Sequence, residues 1–151
     1  MTHTHLVSDH FATGPFPPHG RIELWAEGNV VRLTATGPFN VEAIQAMAAA
    51  WRALCADLPE AEPFADVVTV KDSIMASPEV LDAIGRFLNH NSEQHIAPRA
   101  VAWIVPPDVE GASLMIPQFE HVFTEAGRRI AFFEDEASAL AWVKTALHTP
   151  A

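Results

Sequence analysis

The chain has 151 residues, the length of one ordinary domain. It carries 19 Asp and Glu against 9 Lys and Arg, a formal net charge of -10, which disfavours nucleic acid and anionic membranes as main partners. Hydrophobic residues make up 49% of the chain, enough for a sizeable core, and its one cysteine excludes an internal disulfide or a multi-cysteine metal site.

Residues 1–19 are predicted to form an irregular N-terminal lead, followed by one domain over residues 20–148. The lead holds four histidines and three prolines, and it lacks the basic and apolar segments of a signal peptide. No apolar run in the chain approaches the roughly 18 residues of a spanning helix. Together with a single thiol, Cys55, these features predict a cytoplasmic protein with no membrane span.

The first regular elements are predicted to be the two strands of a β-hairpin. Apolar and polar residues alternate over 21–24 and again over 31–36, and the turn sequence Glu-Gly-Asn stands at 27–29 between them. Gly37 and Pro38 then end the second strand. The spacing therefore predicts an antiparallel pair at an edge of the sheet.

Helices and strands are predicted to alternate from residue 40 onward. Asn40 can cap a helix whose apolar stripe runs over 44–58, and a β-branched strand follows at 65–70. Ser77 and Pro78 supply the cap and first position of a second helix.

The next strand, residues 100–105, is continuously apolar, which predicts a central strand covered on both faces. A third helix is predicted within 112–126, interrupted or started by Pro117, and a last strand over 129–133. Asp135 then caps a fourth helix. The inward side chains of that helix are predicted to include Leu140, Trp142, Val143 and Leu147.

The order β-β-α-β-α-β-α-β-α predicts an α/β fold with a mostly parallel mixed sheet covered by about four helices. The C-terminal stretch resembles a known family: the strand ends in Phe132-Phe133, acidic residues follow, and Trp142-Val143 comes later. This pattern is similar to small bacterial SpoIIAA-like proteins, which are related to STAS domains and to CRAL-TRIO lipid-binding domains. The resemblance covers roughly residues 20–147 and implies a single SpoIIAA-like domain.

The same resemblance implies a phosphorylation site at Ser73. Anti-sigma-factor antagonists of this family carry an Asp-Ser pair after a central strand, and here Asp72-Ser73 follows the strand 65–70. The chain departs from the family pattern immediately afterwards, because residues 74–76 (Ile-Met-Ala) replace the expected small, glycine-containing continuation. An ordinary turn serine is the alternative interpretation.

The carboxyl edge of the parallel strands is the predicted site, because ligands of open α/β sheets bind there. Two loops, 71–76 and 106–111, are expected to meet at this edge, and the alternative is that they are ordinary polar loops around helix caps. The candidate ligand- or partner-binding residues are Lys71, Asp72, Ser73, Asp108, Met115 and Phe119.

No catalytic residue, metal site or cofactor is predicted. Cys55 stands beside the apolar stripe of an alanine-rich helix, where a thiol behaves as a small hydrophobe. The histidines of the lead occupy a Pro- and Gly-rich context, and a zinc site needs three or four fixed ligands. The phosphate-cradling and nucleophile-elbow motifs do not occur in the sequence.

These observations predict a non-catalytic binding or regulatory module that docks a protein partner or a second copy of itself. A second hypothesis is a small carrier, since 4 Trp and 9 Phe could line a gap between sheet and helices for an apolar, lipid-like ligand. A third is a regulator switched by phosphorylation of Ser73. An enzyme ranks last.

Overall fold

The computed structural model describes residues 5–59 and 62–149. Residues 1–4 of the predicted lead, including His3, lie outside the described residues. The elements are β1 His5–Val7, a 3₁₀ helix Ser8–Phe11, β2 Arg21–Glu27, β3 Val30–Thr36, α1 Val41–Cys55, β4 Ala65–Lys71, α2 Pro78–Glu93, β5 Ala100–Ile104, α3 Ala112–Glu125, β6 Ile130–Phe133 and α4 Glu136–Leu147.

The six strands lie in the sheet in the order β1 to β6. The first two pairings are antiparallel and the other three are parallel, which confirms the α/β fold with a mixed sheet. The parallel strands β3 to β6 lie side by side in chain order. Because each connection between them is a right-handed crossover in the same direction along the sheet, all three crossover helices lie on the same face. Accordingly α1, α2 and α3 share one core with the sheet, whereas α4 packs on β4, β5 and β6 in a second core.

The N-terminal lead is more ordered than the sequence predicts. β1 pairs with β2, so a third strand, not the hairpin, forms this edge of the sheet. Leu6 packs against the larger core, and the buried Ser8 hydroxyl accepts the Ile22 N–H at 3.0 Å. Three residues are too few to show a strand periodicity, which is why the prediction of an irregular lead was wrong over 5–11.

The predicted helix caps are confirmed. The side chains of Asn40, Ser77 and Asp135 each accept the backbone N–H three residues further on, at the start of α1, α2 and α4. Pro117 lies inside α3 and does not start it. The starts of α1, α2 and α4 therefore follow from local chemistry, whereas α3 begins after Gly111 with no side-chain cap.

β5 is the covered central strand that its composition predicts, since all five of its residues are buried. Val101 and Trp103 belong to the core with three helices, and Ala102 and Ile104 to the core under α4. One predicted inward residue of α4 is misplaced: Leu140 is 36% exposed. The reason is that α4 covers only half of the sheet, so one side of its apolar stripe has nothing to pack against.

Candidate functional site

The two loops predicted to meet at the carboxyl edge do meet. Ser73 and Glu110 form a parallel bridge between them. The Ile74 N–H donates to the Glu110 carbonyl at 3.0 Å, and the Glu110 N–H donates to the Asp72 carbonyl at 3.0 Å. These bonds extend the pairing of β4 and β5 beyond the ends of the strands and fix the loop conformation.

Ser73 is the centre of this junction and is only 4% exposed. Its hydroxyl donates to Glu110 Oε1 at 2.8 Å and accepts the Met75 N–H at 3.1 Å. Both roles of the hydroxyl are therefore occupied. A phosphate on this oxygen would stand against the Glu110 carboxylate, so this conformation disfavours the modification that the family resemblance implies.

The other candidate residues separate into surface and interior positions. Lys71, Asp72 and Asp108 are exposed, and Asp72 has a left-handed φ of 65°. Met115 and Phe119 are 2% and 1% exposed. These two side chains belong to the core, so they cannot meet a partner at the surface.

Lys71 lines a shallow cavity of about 580 Å³ at the carboxyl end of β3. Thr34, Thr36 and Arg21 lie in the same cavity, and Arg21 is held by Asp9 through an ion pair of 2.7 Å. The cavity is on the side of the sheet that carries α4. Asp108 does not line it.

A larger exposed surface continues from this cavity across β1, β2 and β3. Arg32 pairs with Val67, which lies under α4, and Trp25 pairs with Arg32 in the adjacent strand, so all three side chains share that face. No helix among the described residues covers it beyond β4. We call this surface the open face, and it comprises His5, Val7, Arg21, Glu23, Trp25, Glu27, Thr34 and Thr36.

Trp25 is the central aromatic residue of the open face and is partly exposed. Its ring stacks on His5 with centroids 5.3 Å apart, and its indole N–H donates to Glu27 at 2.8 Å. The Arg32 guanidinium lies 5.8 Å from the Trp25 ring and also pairs with Glu136 at the start of α4. The ion pair between Arg32 and Glu136 links β3, at the border of the open face, to α4 on the covered half of the sheet. The sequence analysis missed this face, although the alternation in β2 places Trp25 opposite to Ile22 and Leu24.

An interior cavity of about 70 Å³ lies between the sheet and the three-helix layer. Its lining is apolar apart from Asp66 and the indole groups of Trp51 and Trp103. The Trp51 N–H is shared by both Asp66 oxygens at 3.2 Å, whereas the Trp103 N–H has no hydrogen-bond partner among the described residues. The cavity is about half of the 150 Å³ or so that accepts benzene in an engineered core, so it holds no acyl chain as it stands.

Asp66 is an acid in apolar surroundings. Burial raises its pKa to about 7, against the opposing effects of the Trp51 hydrogen bond and of the Arg128 charge. The carboxyl is therefore partly protonated near neutral pH. Its side-chain hydrogen-bond partner is Trp51, which gives the carboxyl a structural role.

A depression of about 900 Å³ lies at the opposite, amino edge of the parallel strands. Cys55, Arg99 and Arg129 line it. Arg99 donates to the Leu147 carbonyl at 2.9 Å, so this cation satisfies the C-terminus of α4. Burial, followed by the Asp66 charge, raises the pKa of the Cys55 thiol, which therefore stays protonated.

Across residues 5–59 and 62–149, no three His, Cys, Asp or Glu side chains converge where they could hold a metal ion. The helices in that part of the chain are all too short or too polar to cross a membrane. No family model, curated protein or solved structure matches the chain. The likeness to SpoIIAA-like proteins therefore stays a prediction from the sequence.

Proposed function

We propose that the protein is a non-catalytic docking module that binds a protein partner on its open face. The observation that supports this is the uneven cover of the sheet: three helices pack on one side, and α4 alone packs on the other. Trp25 lies on the part of the sheet that no described helix covers and is left partly exposed. The free thiol of Cys55 fits a cytoplasmic module.

The open face has the chemistry of a protein-binding surface. Tryptophan is enriched among the residues that dominate binding energy, and Trp25 stands on this face with the buried Arg32 guanidinium 5.8 Å from its ring. Hydrogen bonds and stacking already hold the Trp25 ring, so little rotational freedom is lost when a partner covers it. The Lys71 cavity adds a polar edge that would fix the orientation of the partner.

The residues most suited to covalent chemistry have structural roles, which favours binding over catalysis. Ser73 has both hydrogen-bonding roles of its hydroxyl occupied, and Cys55 holds its proton. The third hypothesis, a switch at Ser73, requires the loop 71–76 to open first. It therefore ranks below constitutive docking.

Site-specific photo-crosslinking in cells tests the proposal. A photoreactive residue replaces Thr34 on the open face or, as the matched control, Glu120 on the exposed side of α3. We expect Thr34 to give one discrete adduct with a second protein, and Trp25→Ala to remove it. Equal adducts from Thr34 and Glu120, or an adduct that Trp25→Ala leaves unchanged, would contradict docking at this face.

A second candidate function is carriage of a small apolar molecule, which requires the interior cavity to enlarge because about 70 Å³ is too small for such a ligand. The unpartnered Trp103 N–H could donate to one polar atom of such a ligand. Native mass spectrometry of the purified protein tests it: retained ligand mass that disappears when Ala35→Val fills the cavity supports carriage. Protein free of added mass contradicts it.

A further inference from the structure

β6 leaves half of its backbone hydrogen-bonding groups unpaired. The carbonyls of Arg129 and Phe133 accept from the Val101 and Val105 N–H groups at 2.8 and 2.7 Å. Because a strand directs alternate residues to opposite sides, the N–H and C=O groups of Ile130 and Phe132 point away from β5. Among the described residues, no strand pairs with that outer side.

Apart from its short length of four residues, the edge lacks the features that normally prevent strand addition. Natural edge strands are kept short or carry lysine, proline or a bulge. β1, at the other edge, has three residues and begins with an exposed histidine. β6 instead presents Ile-Ala-Phe-Phe, all four partly buried and none charged. The β6 edge is therefore more open than the β1 edge to pairing with another strand.

The charges that flank β6 are complementary to those of a second copy of the strand that runs in the opposite direction. Arg129 immediately precedes the strand, and Glu134, Asp135 and Glu136 follow it. In an antiparallel pair of two identical β6 strands, the basic start of each lies beside the acidic end of the other. A parallel pair would place like charges together, which costs stability.

The outward residues restrict the register of such a pair. Ile130 and Phe132 must face outward residues of the other copy, so Ile130 faces itself, Ile130 faces Phe132, or Phe132 faces itself. The last two registers bring Arg129 opposite to, or one diagonal step from, Asp135 on the same face, and these are the registers that the flanking charges favour. The Ser138 groups that donate to Asp135 hold its pKa below the usual value, so this carboxylate is ionised at neutral pH.

An aromatic surface beside the edge adds contact area. Trp142 of α4 packs against Phe133 with ring centroids 5.8 Å apart, and the Arg129 guanidinium lies 5.5 Å from the Trp142 ring. Trp142 remains partly exposed. A second copy aligned on β6 would cover this group together with the strand.

We propose that two copies of this chain associate about a two-fold axis through antiparallel pairing of their β6 strands. The two six-stranded sheets then form one continuous sheet of twelve. This surface is at the far end of the sheet from the open face. The dimer and the docking of a partner on the open face are thus independent, and either can fail without the other.

Light scattering coupled to size-exclusion chromatography tests the proposal on the full chain. We expect a mass twice the 16.5 kDa of one chain. Arg129→Glu places an acid against acids and should weaken the dimer about tenfold. Arg86→Glu makes the same charge change on the exposed side of α2 and should leave the dimer intact. Ile130→Pro removes an outward N–H that β5 does not use and should give a monomer.

If Ile130→Pro disturbs the fold, hydrogen exchange of the wild-type protein tests the proposal instead. In the wild-type dimer, the Ile130 and Phe132 amides gain protection as concentration rises, whereas the Ala131 amide is protected by β5 throughout. A monomeric wild-type protein would overturn the proposal. A dimer that Arg129→Glu and Arg86→Glu affect equally, with Ile130 and Phe132 still exchanging freely, would overturn it as well.

Discussion

Ser73 and Glu110 are joined side chain to side chain by a hydrogen bond of 2.8 Å, across the ends of two neighbouring parallel strands. The serine is buried, whereas Glu110 is exposed as a residue. The carboxylate therefore reaches inward to close the loop 71–76. This bond makes Ser73 a structural residue of the carboxyl edge.

Ser73→Ala should destabilise the protein by about 1–3 kcal/mol, because the partly buried Met75 N–H loses its acceptor and the Glu110 carboxylate loses its donor. Urea unfolding followed by circular dichroism measures this change. Ser113→Ala, at an exposed position of α3, is the control and should lie within about 0.5 kcal/mol of wild type. Equal stability of the two variants would show that the junction contributes nothing.

Ser73→Asp should destabilise the protein more than Ser73→Ala does. The new carboxylate would be buried against Glu110 without a cation to neutralise it. The same unfolding measurement compares the two variants. An aspartate variant as stable as wild type would mean that the loop opens readily, and it would restore the phosphorylation switch as a hypothesis.

Gly37→Ala should also disrupt the carboxyl edge. An alanine Cβ at this position would overlap the Ser73 carbonyl oxygen, which belongs to the backbone and cannot rotate away. We expect a loss of about 1–3 kcal/mol from overpacking. Gly14→Ala is the matched control, because a Cβ there meets no atom within 4 Å. Thermal unfolding of both variants side by side measures the difference.

Asp66 should make stability depend on pH. Its folded pKa of about 7 lies above the ordinary 3.8, so the folded state holds a proton that the unfolded state releases. The associated stability is fully present below about pH 4 and is lost as the pH rises through about 7, by up to about 4 kcal/mol.

Asp66→Asn keeps an oxygen for the Trp51 N–H and removes this titration. Chemical unfolding from pH 4 to pH 8 should show wild type losing stability relative to the variant across that window. If stability changed with pH in the same way in the two proteins, the raised pKa of Asp66 would be contradicted. Other titrating groups cancel in the comparison, because both proteins share them.

Local sequence signals predicted most of the fold. Caps at Asn40, Ser77 and Asp135 fixed the starts of helices, and the unbroken apolar run of β5 indicated a strand with cover on both faces. The meeting of the loops 71–76 and 106–111 followed because parallel neighbours end at one edge. These inferences need only the near neighbours of each residue.

Features that depend on distant contacts could not be predicted in the same way. β1 is recognisable only once β2 is in place to pair with it. The open face exists because the three crossover helices pack on the opposite side of the sheet and α4 reaches only β4, β5 and β6, a consequence of strand order.

Paramagnetic relaxation by a neutral, soluble gadolinium chelate tests the central claim, the exposure of the open face, most directly. Indole N–H signals of the free protein report on several positions at once. The account predicts strong broadening of the Trp25 signal, with the buried Trp51 and Trp103 signals unchanged. A Trp25 signal as protected as those two would show that the face is already covered, and would contradict docking there.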